Sequence, residues 1–213
     1  MIRLKRWWIG SAVGFFWPIL FLGAYEFKQN ATVSDVVDAI QPSNSQKNAY
    51  FGHYGYVLSL PEGYLAIPRF DDAEKTVEVV WFFPSANKAA ALQTQKEFNG
   101  DWEESRYGEL GMVRLEVVPR RHPRFGERIV SLDDLRGGMS YALQKAGETF
   151  TVHELNGALP GFQLRITAPG PLVQNVLLGQ NVLYVFTSDP STVVVANLIG
   201  SLKELQPHDK ENM

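Results

Sequence analysis

The chain has 213 residues, with 20 Lys and Arg against 23 Asp and Glu, a formal net charge of −3, and no cysteine. The missing cysteines exclude disulfide support and a lipoprotein cleavage site, so stability has to come from packing. The acidic balance argues against nucleic acid as a partner and against flat adsorption on anionic lipid.

Residues 1–25 read as a cytoplasmic stub and a transmembrane anchor. Trp7 to Tyr25 is nineteen consecutive residues without a charge, about enough to cross the ~30 Å hydrocarbon layer as one helix. Arg3, Lys5 and Arg6 precede it and the chain beyond is polar and mildly acidic. Basic flanks stay in the cytoplasm, which places the N-terminus inside and the rest outside the inner (plasma) membrane, in a periplasm or on an external face. Trp7, Trp8 and Tyr25 fall at the two headgroup levels, where interfacial aromatics belong. Gly10 and Gly14, with Ser11 beside them, form a GxxxG face on which a partner helix can pack closely. Glycine is also common in membrane helices that have no such partner. A cleaved signal peptide and a core helix are the competing readings. Signal peptides usually have shorter apolar regions of about 7–15 residues, and Leu22-Gly23-Ala24 is a poor cleavage site.

Beyond the anchor the chain carries 17 Lys and Arg against 23 Asp and Glu, a net of −6. Residues 26–49 form a membrane-proximal linker. Within it Val33, Val36, Val37 and Ile40 recur at i, i+3, i+4 and i+7 after a capping Thr32, until Pro42 ends the pattern. Packing of this stripe on the domain is the default; the membrane surface or a partner are the alternatives. Asn30-Ala31-Thr32 is a glycosylation triplet that matters only in a eukaryotic secretory route.

A single extracytoplasmic domain is expected over 50–206. Tyr54 to Leu60 alternates as a strand, breaks at Pro61-Glu62-Gly63, and Tyr64 to Ile67 reads as its return partner. Thr76 to Phe83 is a β-branched and aromatic strand, after which Ser85 caps a helix over Ala86 to Phe98. A polar loop follows to Gly111. Met112 to Val118 then alternates, with Val113, Leu115 and Val117 on one side and Arg114 and Glu116 on the other. Residues 119–128 are a basic loop. Ser131 and Asp134 make a capping box for a helix with Leu132, Leu135, Met139, Leu143 and Ala146 inward, closed by Gly147. Strands Phe150 to Leu155 and Gly161 to Ala168 are joined through Asn156-Gly157, whose residue types suit the positive φ of a tight hairpin. Leu172 to Leu178 and Val182 to Thr187 are joined by Gly179-Gln180-Asn181. Asp189 caps and Pro190 opens a last helix with Val195, Leu198, Leu202 and Leu205 inward, and 207–213 is a tail. Short hairpins imply an antiparallel sheet of six or seven strands, and one-sided helices must cover it, so the class is α+β.

YGYVLSLPEGY (54–64) and VLYVFTSDPSTVVVANLIGSLKEL (182–205) carry a resemblance to the PsbP-like fold family of extrinsic photosystem subunits and a Ran-binding import factor. The first stretch is similar to the family's aromatic strand and Leu-Pro-x-Gly-Trp turn, with Tyr64 where the tryptophan stands. The second is similar to its last strand and helix. The resemblance implies an accessory or docking module over about residues 50–206 rather than an enzyme; fold likeness alone carries that much and no more.

Chemistry-bearing motifs are sparse, and no cofactor- or metal-binding pattern is found. Ser140 sits in a near-match to a nucleophile elbow, but mid-helix instead of on a strand-to-helix turn. His53, His122, His153 and His208 lack metal spacing, and Glu97, Asp101, Glu103, Glu104 and Glu109 lack the alternating ligands and glycine of a calcium loop. Arg120, Arg121, Arg124 and Arg128, with His122, form the densest charge cluster outside the anchor. Guanidinium groups pair bidentately with carboxylate or phosphate, so this loop is the candidate grip for an anionic partner, against the plainer reading of a solvated loop. Two functions are carried forward. One is a single-pass, membrane-anchored accessory protein that binds other proteins of a membrane or envelope complex. The other is an envelope enzyme or small-ligand-binding module with its site in a cleft between sheet and helices.

Overall fold

The computed structural model describes residues 48–70, 76–97, 106–125, 129–168 and 170–205. The anchor, the linker stripe at 33–40, Arg128, the acidic residues 101–104 and His208 lie outside them. No helix among the described residues is long and apolar enough to cross a membrane.

The element order is β1 (Ala49–Gly52), β2 (Tyr56–Ser59), β3 (Tyr64–Phe70), β4 (Glu78–Pro84), α1 (Lys88–Glu97), α2 (Tyr107–Leu110), β5 (Val113–Pro119), α3 (Leu132–Lys145), β6 (Thr149–Asn156), β7 (Pro160–Ala168), β8 (Leu172–Leu178), β9 (Val182–Ser188), α4 (Val194–Ser201) and β10 (Lys203–Glu204). Seven strands pair antiparallel throughout in the order β3-β4-β5-β9-β8-β7-β6. The expected α+β class with a seven-stranded antiparallel sheet is what the chain forms. A second sheet of three short strands, β1-β2-β10, joins residues that are far apart in sequence, with Lys203 opposite Val57.

Each face of the large sheet is covered, because β4, β5, β8 and β9 are buried at odd and even positions alike. One face packs Val80, Phe82, Val113, Leu115, Val117, Tyr184 and Phe186 against Tyr56 and Leu58 of the small sheet and Val194 and Leu198 of α4. The other face is covered by helices in two patches. Trp81, Phe83 and Met112 meet Ala91 of α1 and Tyr107 and Leu110 of α2, whereas Phe162, Leu164, Val176 and Val185 meet Leu135, Met139 and Leu143 of α3. Helix α3 starts at the expected capping box, Ser131 Oγ accepting from Asp134 N–H at 3.2 Å and Asp134 Oδ2 accepting from Ser131 N–H at 3.2 Å. It closes before Gly147 at φ 73°.

Four local expectations fail. Tyr64–Phe70 is not the return partner of the preceding strand. Gly63, at φ 75°, turns the chain out of the small sheet, and β3 pairs with β4 in the large one. Leu60 and Tyr64 thus face the shared core from opposite layers. Ser85 does not cap: the N-cap is Pro84 without a side-chain bond, and Ser85–Asn87 is a 3-10 turn leading into α1. Asn156-Gly157 joins β6 to β7 as expected but without the positive φ: Asn156 still pairs with Pro160, the loop is the three residues 157–159, and neither residue has positive φ. Asp189 spends its carboxylate on Ser191 N–H (2.8 Å), so α4 begins only at Val194; Leu202 ends it and Lys203–Glu204 turns to strand.

Candidate functional site

Residues 119–125 of the basic loop fold back onto the sheet. Arg124 Nη1 donates to Glu116 Oε1 at 3.3 Å and Arg114 Nη1 donates to Oε2 at 2.9 Å, so one carboxylate, 2% exposed, lies between two guanidinium groups. Sequence alternation places Glu116 opposite the Val113, Leu115, Val117 side, and it is there. That side is buried too, under the helices, so Glu116 needs partners there. Its strand neighbour Arg114 belongs to a polar row across three strands: the registers put Arg114 between Trp81 and Thr187, and Thr187 opposite Gln174. Thr187 and Gln174 are buried, and Arg69 stacks its guanidinium 4.5 Å from the Trp81 ring centre.

Loop residues complete the tie. Arg124 N–H donates to His122 Nδ1 at 3.1 Å, which makes that nitrogen the acceptor and leaves the proton on Nε2, 2.8 Å from Thr76 Oγ1. Arg120 donates to the Gln180 carbonyl (3.3 Å) and the Val130 carbonyl (3.2 Å), and Val130 N–H donates back to the Arg120 carbonyl. Of the candidate arginines, then, Arg120 and Arg124 are bound within the domain. Arg121 is exposed, and the Arg120–Val130 pairing brings Ile129, 49% exposed, to the same edge of the loop. The loop is neither a free cationic arm nor a wholly solvated one.

Two further carboxylates act at the same end of the sandwich. Glu78, on the small-sheet side, accepts from Tyr50 Oη at 2.6 Å and from His53 N–H at 3.1 and 3.2 Å, fixing the β1–β2 turn. Glu204 of β10 accepts from Gln180 N–H at 3.1 Å and from Tyr184 Oη at 3.1 Å, fixing the β8–β9 turn. Burial first, then the Glu78 charge, pushes the Tyr50 and Tyr56 hydroxyls well above the ordinary tyrosine range; burial and Glu204 do the same for Tyr184. Gly52 lies flat against the Tyr56 ring, where an added Cβ would come within 1.9 Å, so this contact needs glycine.

The remaining sequence candidates do not converge. Ser140 is on α3, away from a strand-to-helix turn, and His53, His122 and His153 belong to different elements. Among the described residues no group of three or more His, Asp or Glu is placed to hold a metal ion. Sequence reasoning missed the burial of Glu116 and Glu78 and the role of the half-buried Glu204. The one available signal was an acidic residue inside an otherwise β-branched or aromatic strand, as in Val77-Glu78-Val79 and Leu115-Glu116-Val117.

Comparison with known proteins adds no family: no family model matches the chain, and neither does a curated protein.

Proposed function

We propose that the chain is a single-pass, membrane-anchored accessory protein of the inner (plasma) membrane, with its N-terminus in the cytoplasm and its domain outside. It binds other proteins of a membrane or envelope complex. The anchor reading rests on the uncharged run Trp7 to Tyr25 behind Arg3, Lys5 and Arg6. The docking reading rests on one observation: three carboxylates, Glu78, Glu116 and Glu204, hold three connections rigid at one end of the domain. That end presents Arg121 and Ile129, and a preorganised surface loses less entropy when a partner binds. The Tyr54–Tyr64 and Val182–Leu205 likeness to PsbP-like proteins points the same way, by fold analogy.

The opposite end receives the chain from the anchor, since the Asn48 carbonyl accepts from Leu60 N–H there at 2.7 Å. Alkaline carbonate washing of membranes tests the anchor. The full-mass protein is expected in the pellet, and recovery in the supernatant at a mass reduced by about 25 residues would refute a retained anchor in favour of a cleaved signal.

A second reading, a small-ligand or envelope-substrate module with a cleft between sheet and helices, is favoured by a different pair. Asn175 Nδ2 and Ser188 Oγ, on residues 2% and 1% exposed, have no hydrogen-bond partner among the described residues. The registers set them diagonally on one face, next to Gln163, which donates to Asn175 Oδ1 at 2.8 Å, and to the exposed Arg165. Neither atom is open to solvent, which ranks this reading second.

A further inference from the structure

The Asn156-Gly157 pair is left without the structural reason that ordinarily accounts for it. Gly157 has no positive φ, and a Cβ built there would meet only the Leu159 carbonyl, at an ordinary 3.8 Å, so neither backbone conformation nor space calls for glycine. Residues 157–159 bend without a hydrogen-bonded turn, and Asn156, Gly157 and Ala158 are all exposed. Among the described residues the Asn156 side-chain amide makes no hydrogen bond. Other asparagines are placed differently. Asn87 Nδ2 donates to the Leu110 carbonyl at 3.0 Å, Asn175 is buried, and the exposed Asn181 precedes the buried, β-branched Val182.

An asparagine side chain carries its amide carbon within reach of the next residue's backbone nitrogen. Glycine is the one residue with no Cβ to shield that nitrogen or to narrow the backbone angles of approach. We propose that Asn156 is a self-modification site, at which the Gly157 nitrogen attacks the Asn156 side chain. The N–Cγ bond forms as the Cγ–Nδ2 bond breaks, and Nδ2 leaves as ammonia with the proton from Gly157. Water then opens the resulting succinimide at one carbonyl or the other, leaving aspartate or isoaspartate. Only water is consumed, and nothing is oxidised or reduced. The product places a new carboxylate, and in the isoaspartate form an extra main-chain methylene, at the tip of the β6–β7 hairpin. Gly161 pairs with Leu177 and Leu178 with Leu183, so this loop lies at the same end of the sandwich as the β8–β9 turn, whose Gln180 carbonyl accepts from Arg120. The charge therefore changes on the end that presents Arg121 and Ile129. The chemistry itself does not depend on what that end docks.

Peptide mapping tests this on the full chain, held in mild detergent at mildly alkaline pH and sampled over time by trypsin digestion and mass spectrometry. Trypsin releases Asn156 on the peptide 146–165 and puts the other Asn-Gly pair, Asn99-Gly100, which lies outside the described residues, on a different one. Asn156 is expected to lose its amide at least about ten times faster than Asn181, which is also exposed but is followed by the stiff Val182. The product should be a mixture of aspartate and isoaspartate, which chromatography separates. Gly157→Ala, for which the loop has room, should slow the loss several-fold with the urea midpoint unchanged. Equal rates at Asn156 and Asn181 overturn the proposal. An undiminished rate in Gly157→Ala, or a product of aspartate alone, also overturns it, since either one means direct attack by water instead of by the Gly157 nitrogen.

Discussion

Replacing Glu116 by Gln keeps shape and volume and removes only the charge, which makes it the sharpest probe of the buried tie. Arg114 and Arg124 hold the carboxylate at 2.9 and 3.3 Å, and both arginine side chains are themselves less than one-fifth exposed, at 18% and 17%. A hydrogen bond to a charged group contributes ~1.5–3 kcal/mol and a neutral one ~0.5–1.5 kcal/mol, so each contact loses roughly 1–1.5 kcal/mol. Two guanidinium groups facing a neutral amide add mutual repulsion, bringing the loss to about 2–4 kcal/mol. Truncating one partner of a buried pair costs ~3–5 kcal/mol, which sets the upper bound. Urea unfolding of the full chain in detergent, followed by tryptophan fluorescence, reads this directly, because Trp81 lies opposite Arg114 in the β4–β5 register. A double-mutant cycle of Glu116→Gln with Arg124→Gln isolates the loop's share and should show a coupling of ~1–2 kcal/mol. A single-mutant loss under about 0.5 kcal/mol, or additive effects in the cycle, would refute the view that Glu116 pins the basic loop.

Alkaline pH should unfold the domain through its buried tyrosines. Tyr50, Tyr56 and Tyr184 have folded-state values raised above the ordinary value of 10.0, so the folded chain keeps protons that the unfolded chain gives up. Their stabilisation is whole below pH 10 and falls as pH climbs beyond it, by ~1.4 kcal/mol per pH unit for each tyrosine. Tyrosinate absorbance is expected to show at least three of the eight tyrosines ionising only as the far-ultraviolet circular dichroism collapses; all eight titrating with the fold intact contradicts this. Arg121→Glu, at the one exposed arginine of the described loop, should weaken salt-sensitive co-purification of a membrane partner several-fold with an unchanged urea midpoint. An identical pull-down at low salt removes the loop from the docking surface.

Much of the large sheet was legible because its signals are local. Leu172–Leu178 and Val182–Ser188 are strands rich in Leu, Val and aromatic residues separated by a three-residue turn, and the Ser131–Asp134 box marks where α3 starts. What local pattern does not encode is which strand pairs with which. Tyr56–Ser59 looks like the first arm of a hairpin with Tyr64–Phe70, yet its partners are Ala49–Gly52 and, nearly 150 residues on, Lys203–Glu204. A two-residue strand carries no periodicity to detect, so the small sheet and the two-layered core it creates stayed hidden. Capping went wrong for a related reason. Asp189 is a residue type that bonds equally well to a turn, and there the turn won, whereas Ser85 became the first residue of a 3-10 turn instead of a cap.

The candidate site was legible only in composition. Four arginines within ten residues announce a cationic loop, but whether those charges face a partner or their own domain is decided by residues elsewhere in the chain. Glu116 is on a strand whose two faces are both buried, so a carboxylate there has to recruit cations, and it takes Arg114 from its own strand and Arg124 from the loop eight residues downstream. Glu78 and Glu204 repeat the pattern with a tyrosine hydroxyl and backbone N–H groups instead of arginine. Each of the three carboxylates is matched to the one connection next to it, and all three connections meet at the end of the sandwich away from Asn48. Ties of this kind hold a surface still without contributing a group for chemistry. On the proposed reading, what the loop offers a partner is therefore a fixed edge bearing Arg121 and Ile129 rather than a mobile cluster of positive charge.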